Sequence, residues 1–511
     1  MNAACLANEG LERWGEYQAT FFEGRHYTNA EQLDFACRLA AVLRAHGVHP
    51  CDRVVVMMTT CVEVPASFHA IWRIGAVIIP IMPQLIAPEV RYIVENSGAE
   101  LVLTSPQLVP VVAEATTPIA GFREILVFGD CAVSGAMNIE SEVATAEPEQ
   151  DIVDKVFDDL AVLVYTSGTT GNPKGVMLAH GGLIDNAQAV AKLFNQSARS
   201  RSLMVLPMSH VYGMLLMNIS GLLGQYTAML RRFDPEETLR MIEEYQVERL
   251  SLAPTMMVYL VNHPNREKYD VSSLKFVTGG SAPLAEELRL QFSKLFGCRV
   301  ADGYGLSEST CAVTSFRDDE EIVPGSAGRP LSGVEVCVMD DDLNVLGPNE
   351  TGEICIRGSI VMKGYWNNPQ ATAQTIIDGW LHSGDIGHQN ENGYVFITDR
   401  KKDMIIKGGE NISPRQIEEA IYKHPSVAEC AVFGVPDDRF QEEIAAAIVL
   451  KSGRQATAEE IQAQALKHVT KFKNPKYVLF RDQLPKNSNG KILKRRLREE
   501  WVAGATVEKA V

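Results

Sequence analysis

The most informative stretch of the 511-residue sequence is AVLVYTSGTTGNPKGVMLAH, residues 161–180. A short apolar, strand-like run opens it, and a run of glycine and hydroxyl residues follows directly. Glycines let backbone N–H groups approach an anion, while the Ser and Thr hydroxyls and the Lys174 ammonium add donors and charge. The segment is not a Walker loop, because Lys174 follows Pro173 and precedes Gly175 rather than Ser or Thr. Its composition suits a polyphosphate-binding loop or, alternatively, a flexible surface loop.

Strand-like and helix-like segments alternate around this loop. Residues 32–46 have apolar residues at helical spacing, and residues 52–58 form an apolar run of strand length. The same alternation recurs up to about residue 323 and predicts an α/β fold with mostly parallel sheets. Alternating strands with Gly and Asn turns follow, and they predict a small barrel-like element.

The chain is expected to divide after a charged cluster. The sequence DRKKD at 399–403 precedes a new alternation of strands and helices, which ends in a basic tail. We therefore predict a large N-terminal domain at 1–398, a hinge at 399–402 and a small α+β C-terminal domain at 403–511.

Composition and charge exclude several classes of protein. Hydrophobic residues make up 46% and charged residues 22%, which excludes disorder, collagen and coiled coil as the main description. The net charge of −16 argues against a nucleic-acid partner, since phosphate binding needs clustered positive charge. The ten cysteines form no C-x-x-C pair, and no signal peptide is evident at the N-terminus. We therefore expect a cytoplasmic protein with free thiols.

One uncharged stretch, residues 202–230, is long enough to raise the possibility of a membrane helix. Pro207, Asn218 and several glycines interrupt it. We therefore expect a buried segment that lines a pocket, and no membrane span.

Seven segments, in order, resemble the motifs of the adenylate-forming superfamily. This superfamily holds acyl-CoA synthetases, aryl-CoA ligases, firefly luciferase and the adenylation domains of peptide synthetases. The segments are YTSGTTGNPKG (165–175), PMSHVYG (207–213), GGSAPL (279–284), DGYGLSES (302–309), GWLHSGD (379–385), ITDRKKDMIIKGGENISP (397–414) and LPKNSNGKILKRRLR (484–498). The resemblance implies a large domain of parallel-sheet subdomains and a small mobile C-terminal domain. It also implies that ATP activates a carboxylic acid to acyl-AMP with release of pyrophosphate, and that the acyl group passes to coenzyme A.

The resemblance also implies roles for the residues that would bind nucleotide and metal. Glu308 would hold Mg²⁺, a hard cation that prefers oxygen ligands, with Thr166 as its hydroxyl partner. Lys491 would bridge the acid carboxylate and the α-phosphate, and Asp385 would accept the ribose hydroxyls with help from Arg400. The residues expected to be catalytic are Lys491, Glu308, Lys174 and His210. Those expected to bind ATP or AMP are Thr166, Ser167, Gly168, Thr169, Thr170, Gly171, Lys174, Gly280, Ser281, Ala282, Pro283, Asp302, Gly303, Tyr304, Gly305, Ser307, Asp385, Ile397, Arg400 and Lys491.

The acid is expected to be an apolar monocarboxylate, with a fatty acid considered first. The segment 209–213 lacks the Asp that would bind the ammonium of an amino acid. Gly303 stands where an enzyme for dicarboxylates would want an Arg. His210 is interpreted as a substrate gate rather than a proton shuttle. The residues expected to line the acyl pocket are His210, Val211, Tyr212, Met214, Met256, Gly279 and Gly305.

The thiol acceptor is expected to diffuse in, because no carrier domain or thioesterase signature follows Lys491. The resemblance implies that Lys402 is the hinge residue and that Lys407, Gly408 and Gly409 bind CoA after the small domain rotates. An aryl-CoA ligase and an acyl-AMP ligase for a separate acyl carrier protein remain alternatives, and a homodimer is possible. The presence of the charged residues named above argues against a non-catalytic nucleotide-binding scaffold.

Overall fold

Two seven-stranded sheets form the framework of the large N-terminal part. The computed structural model describes residues 1–166, 172–194, 198–486 and 491–504. The first sheet contains, in spatial order, β7 (Ala136–Asn138), β6 (Glu124–Val127), β5 (Leu101–Thr104), β3 (Arg53–Met57), β4 (Val77–Pro80), β8 (Leu160–Thr166) and β9 (Lys174–Ala179). The second contains β14 (Arg299–Asp302), β13 (Phe276–Gly279), β12 (Arg249–Leu252), β10 (Arg201–Met204), β11 (Tyr226–Met229), β1 (Gln18–Phe22) and β2 (Arg25–Thr28). Only the pairs β8–β9 and β1–β2 are antiparallel among these described strands, so the predicted parallel α/β architecture is confirmed.

Helices cover both sheets, as parallel strands require. The described helices are α1 (Cys5–Trp14), α2 (Asn29–Ala45), α3 (Glu63–Ile74), α4 (Ala87–Ser97), α5 (Val109–Thr116), α6 (Glu140–Thr145), α7 (His180–Leu193), α8 (Val211–Leu223), α9 (Pro235–Tyr245), α10 (Pro254–Val261), α11 (Glu286–Phe296), α12 (Pro369–Thr375), α13 (Pro414–Tyr422), α14 (Ala458–Leu466) and α15 (Lys494–Val502). The buried core between the layers includes Phe68, Trp72 and Phe292, all of them less than 1% exposed.

Antiparallel strands follow the second sheet, as predicted from their alternation. A three-stranded sheet contains β15 (Tyr304–Leu306), β16 (Cys311–Ser315) and β17 (Arg329–Pro330). A five-stranded sheet contains β18 (Val334–Met339), β19 (Gly352–Gly358), β20 (Ile376–Ile377), β21 (Trp380–Gln389) and β22 (Val395–Arg400). The last strand leads directly into the expected hinge.

The C-terminal part is built on a sheet of its own. Its strands are β23 (Ile405–Lys407), β24 (Glu410–Ile412), β25 (Val427–Asp437), β26 (Gln441–Leu450) and β27 (Tyr477–Phe480). One apolar cluster packs α13 and α14 on one face of this sheet, and a second cluster packs α15 on the other. This part therefore has a core of its own, as an independently moving unit would need.

The uncharged stretch 202–230 is a buried part of the fold. It forms most of β10, then α8 and β11, and several of its side chains line the cleft described below. No helix among the described residues is both long enough and apolar enough to cross a bilayer.

Candidate functional site

A cleft of about 2000 Å³ opens at the carboxyl ends of the parallel strands. Thr166 at the end of β8, Gly279 at the end of β13 and Asp302 at the end of β14 all line it. The far side is lined by residues of the C-terminal part, Lys491 among them. Carboxyl ends of parallel strands are where ligands bind in α/β sheets.

A buried carboxylate, Asp385, is held from two sides in this cleft. Asp385 lies opposite Arg400 in the pairing of β21 with β22, and Arg400 Nε is 2.9 Å from Asp385 Oδ1. The hydroxyl of Tyr304 donates to Asp385 Oδ2 at 2.7 Å. Burial, and then the charge of Asp385, raise the pKa of Tyr304 well above its usual range, so this hydroxyl stays protonated. A carboxylate fixed in this way can still accept hydrogen bonds from a diol such as ribose.

A second group joins Lys174, Glu308 and Tyr365. The Tyr365 hydroxyl donates to Glu308 Oε1 at 2.9 Å, and the Lys174 ammonium lies 4.8 Å from the centre of the Tyr365 ring. Thr166 pairs with Lys174 between β8 and β9, so its hydroxyl belongs to the same region. Sequence analysis missed Tyr365, because nothing in the flanking residues 363–367 signals its contact with Glu308.

The expected phosphate loop can be followed only at its two ends. Thr166 and Lys174 line the cleft. Ser167, Gly168, Thr169, Thr170 and Gly171 lie outside the described residues.

Two glycine-containing segments expected to enclose adenine lie side by side. Gly279 pairs with Asp302 between β13 and β14, and Gly280, Ser281, Ala282 and Pro283 line the cleft together with Gly303, Tyr304, Gly305 and Ser307. A Cβ atom on Gly280 would lie 2.6 Å from the Tyr212 ring, and one on Gly305 would collide with the carbonyl oxygen of Cys311. Both positions therefore require glycine. Burial raises the pKa of Asp302 to about 6.

Lys491 lies inside the cleft with Asp385 and Arg400 near enough to affect its charge. Burial, and then the positive charge of Arg400, lower the pKa of Lys491 to about 8, while Asp385 opposes this effect. Ile397 and Lys402 line the same cleft. Lys402 belongs to the single helical turn Lys401–Asp403 that follows β22. The structure thus brings together the predicted hinge residue, Lys491 and the Asp385–Arg400 pair.

His210 immediately precedes α8, a helix that lines the acid side of the cleft, the part expected to hold the carboxylic acid. It caps the N-terminus of α8, where its Nδ1 accepts from the backbone N–H of Tyr212 at 3.2 Å. Burial lowers the pKa of His210 to about 4, so the ring is neutral near pH 7. The role of His210 as a substrate gate stays a prediction.

Two residues expected in the acyl pocket lie elsewhere. Met214 is 1% exposed and belongs to the main hydrophobic core, and Met256 packs against a second apolar cluster. Neither methionine lines the cleft. Other faces of the two helices line it instead. Val211, Tyr212, Gly279 and Gly305 do line it.

The acid side of the cleft has one apolar wall and one hydroxyl-bearing wall. The apolar wall is helical and contains Val190, Phe194, Leu215, Leu216 and Ile219. The hydroxyl-bearing wall is the second sheet, whose hydroxyls bond one another and two hydroxyls of α8: Thr278 with Ser251 (2.7 Å) and with Tyr212 of α8 (2.9 Å), and Thr227 with Ser202 (2.9 Å) and with Ser220 of α8 (2.7 Å). The signal for this wall was the alternation of polar and apolar residues within the short strands β12 and β13.

The residues expected to bind CoA are not in the cleft. Lys407 is 6% exposed, forms an ion pair with Glu443 and donates to the carbonyl of Phe472 at 2.9 Å. Gly408 and Gly409 form the turn between β23 and β24, with φ of 58° and 86°. The Lys407 charge is therefore neutralised inside the C-terminal part, while the glycine turn lies on its surface.

The chain is similar to known proteins along almost its whole length. Residues 8–366 match the family of AMP-binding enzymes, and residues 416–491 match the AMP-binding enzyme C-terminal domain. The chain is 34% identical to a long-chain-fatty-acid–CoA ligase of Bacillus subtilis, over 97% of this chain and 94% of the relative. It is also 34% identical to a feruloyl-CoA synthase of Amycolatopsis sp, over 97% of this chain and all of the relative. Among solved structures, the anthranilate CoA ligase AuaEII in complex with anthranoyl-AMP superposes with a TM-score of 0.93 at 25% identity, covering 99% of this chain and 98% of that one.

Proposed function

This chain belongs to the family of AMP-binding enzymes, and from that premise we propose that its cleft holds ATP beside an apolar monocarboxylic acid. A fatty acid is the first candidate for that acid. The chain is an AMP-forming acid–CoA ligase. It joins a carboxylate to the α-phosphate of ATP, releases pyrophosphate and passes the acyl group to the thiol of CoA. The first step is needed because oxide is a very poor leaving group, whereas AMP leaves readily from the mixed anhydride.

The observation that carries this proposal is the position of Lys491. Its ammonium lies in the same cleft as Asp385 and Arg400, next to a cavity with an apolar helical wall. We assign Asp385 to the ribose hydroxyls and Lys491 to the carboxylate and α-phosphate that react. A preorganised cation at that point screens two anions that would otherwise repel each other.

We assign Mg²⁺ to Glu308 and Thr166. Tyr365 hydrogen-bonds one carboxylate oxygen of Glu308, Oε1, which orients the group toward the cleft. Mg²⁺ is usually held by one or two carboxylates and the substrate phosphates, so a single Glu with a hydroxyl partner is a sufficient protein contribution. When bound, the cation would neutralise charge on the phosphates.

The surroundings of Arg249 support a monocarboxylate. Arg249 lines the cleft, but it is paired with Asp318 at 2.6 Å and lies over the Phe194 ring at 4.1 Å. Its charge is therefore already compensated and is a poor partner for a second substrate carboxylate. The hydroxyls of the second sheet could bond oxygen substituents on an aromatic ring, so an aryl acid with ring oxygens is the alternative substrate.

We further propose that transfer to CoA requires the C-terminal part, 403–511, to turn about Lys402. Lys491 occupies the cleft in this structure, so it has to leave before a thiol can approach the acyl carbon. The glycine turn Gly408–Gly409, rather than the buried side chain of Lys407, would then face the CoA path. A separate acyl carrier protein is the alternative acceptor. The ten free cysteines support a cytoplasmic location.

Acid-dependent exchange of labelled pyrophosphate into ATP tests this function. The assay uses magnesium and a panel of fatty, aryl and dicarboxylic acids, and CoA is added afterwards. We expect exchange with fatty acids, little with dicarboxylates, and thioester formation on adding CoA. Absence of exchange with every acid would favour a nucleotide-binding scaffold, and exchange without thioester would favour a carrier-protein ligase.

A further inference from the structure

A second cavity of about 120 Å³ lies behind the acid side of the cleft. It is lined by residues of α1, α2, α3, α8 and strands β1, β10 and β11. Most of its lining is apolar or small, and none of the described residues that line it is Lys, Arg, Asp or Glu. The cavity has room for a short polar group or a few water molecules.

One row of the second sheet leads from the cleft into this cavity. The strand register places Ser202 opposite Thr227 and Thr227 opposite Thr20. Ser202 lines the cleft, Thr20 lines the second cavity, and Thr227 lines both. Met204 and Gln225 also line both, so these three side chains separate the two spaces. Of these, Met204 is long, unbranched and adaptable and can move aside for a chain.

Two polar side chains that line the second cavity, those of His69 and Asn218, each carry one buried atom without a hydrogen-bond partner among the described residues. Nδ1 of His69, on α3, and Oδ1 of Asn218, on α8, are buried and make no hydrogen bond with any residue that the structure describes. Asn218 is only 4% exposed. Burial, and then the charge of Arg73, lower the pKa of His69 to about 4, so its ring is neutral near pH 7. Buried polar atoms of this kind are normally satisfied, by a ligand if not by the protein.

The chemistry of these two atoms selects a neutral donor–acceptor group. A second carboxylate would be buried without a cation, and a methyl group would leave both atoms unpaired. A hydroxyl can donate to Oδ1 of Asn218 while it accepts from Nδ1–H of His69. A hydroxyl therefore matches either side chain that it reaches.

We propose that the second cavity is the distal end of the acid channel and that it binds a hydroxyl at or next to the terminal carbon of the acyl chain. The inference rests on the proposed function, since it assigns the part of the acid farthest from the carboxylate. It makes Asn218 and His69 specificity-determining residues for a hydroxylated long-chain acid.

The strand geometry sets the length of that acid. Thr278, near the carboxylate end, and Thr227 are three strands apart and two residues apart along the strands. These steps correspond to about 14 Å across and about 7 Å along the sheet, hence about 16 Å in all. At about 1.2 Å per bond of an extended chain, this needs about 13 bonds. A chain of about 16 carbons reaches the second cavity, and one of about 10 carbons does not.

Matched pairs of acids in the pyrophosphate exchange assay test the proposal. We expect kcat/KM for 16-hydroxyhexadecanoate to exceed that for hexadecanoate by at least about tenfold, because a site built for a hydroxyl rejects an analogue without one. The shorter pair, 10-hydroxydecanoate and decanoate, should show no such preference, and neither should an isomer hydroxylated in mid-chain. Equal or lower activity with 16-hydroxyhexadecanoate, or exchange with short acids only, would overturn the proposal.

Variants at the cavity locate the effect. Asn218→Leu removes Oδ1 with little change of volume and should lower the ratio of the two kcat/KM values by at least about tenfold. His69→Phe should lower this ratio too. Thermal melting checks whether each variant is folded, and His69→Phe provides the test if Asn218→Leu does not fold. Met217→Leu changes a cavity residue that has no strong hydrogen-bonding group, so it should keep the ratio. If both Asn218→Leu and His69→Phe keep the wild-type ratio of the two kcat/KM values, the cavity holds water only and the proposal is wrong. Absence of exchange with every acid would instead refute the proposed function.

Discussion

Replacing Lys491 by arginine should change the pH dependence of adenylation, and the structure sets the size of the effect. The pKa of Lys491 falls from 10.5 to about 8. That difference corresponds to about 3 kcal/mol against the charged form in the empty cleft. A lysine is charged below its pKa, so the charged fraction falls from about 0.9 at pH 7 to about 0.1 at pH 9. If the ammonium is required, kcat/KM for adenylation falls about tenfold over this interval, because kcat/KM reports the free enzyme.

The assay is pyrophosphate exchange without CoA, so that the ionisation of the CoA thiol does not enter. Lys491→Arg should have a lower kcat/KM than wild type, because a planar guanidinium replaces a compact ammonium. Its kcat/KM should stay constant from pH 7 to 9, because arginine stays charged. Lys491→Ala should be slower by about 10²–10³-fold. Lys471→Ala, at an exposed lysine in the same part of the chain, should behave as wild type. The reasoning is refuted if wild type and Lys491→Arg lose activity in parallel above pH 8.

Three further substitutions test other parts of the structure. Tyr304→Phe removes the hydroxyl that donates to Asp385. Because a hydrogen bond to a charged group contributes about 1.5–3 kcal/mol, KM for ATP should rise about 10-fold or more while thermal stability is kept. An unchanged KM for ATP would contradict the assignment of Asp385 to the ribose. Lys402→Pro should keep adenylation and impair thioester formation, whereas equal loss of both half-reactions defeats the hinge proposal. Lys407→Met leaves buried Glu443 with only the more distant ammonium of Lys476, at 4.0 Å, and should cost up to about 3–5 kcal/mol in denaturant unfolding. Replacing both Lys407 and Glu443 by methionine should restore most of that loss.

Much of the site could be predicted because its chemistry lies in short contiguous segments. Asp385 and Arg400 come from two motifs that happen to be paired strands, and the glycines at 280 and 305 stand where side chains would collide. Each of these residues stands in a contiguous motif, so the motif identifies it, although the contact that requires glycine at 280 is a long-range one with Tyr212. The position of Tyr365 against Glu308 joins residues 57 apart in the chain, and no local pattern encodes such a contact.

The apolar helices show the limit of pattern analysis most clearly. Met214 and Leu215 are neighbours on α8 with similar side chains, yet one packs in the core and the other lines the cleft. Lys407 likewise looked available for CoA, but its charge is used within the C-terminal part. Burial of this kind depends on which neighbouring elements pack against each face.

The sequence by itself determined the family and the parallel α/β architecture, and it supplied the residues that we propose bind nucleotide, because strand periodicity and glycine-rich turns are local properties of the backbone. Only the tertiary structure decided which apolar and polar residues line the cleft, where the second cavity lies, and that His69 and Asn218 both line it. Those two residues come from different helices, and long-range packing alone places both at one cavity.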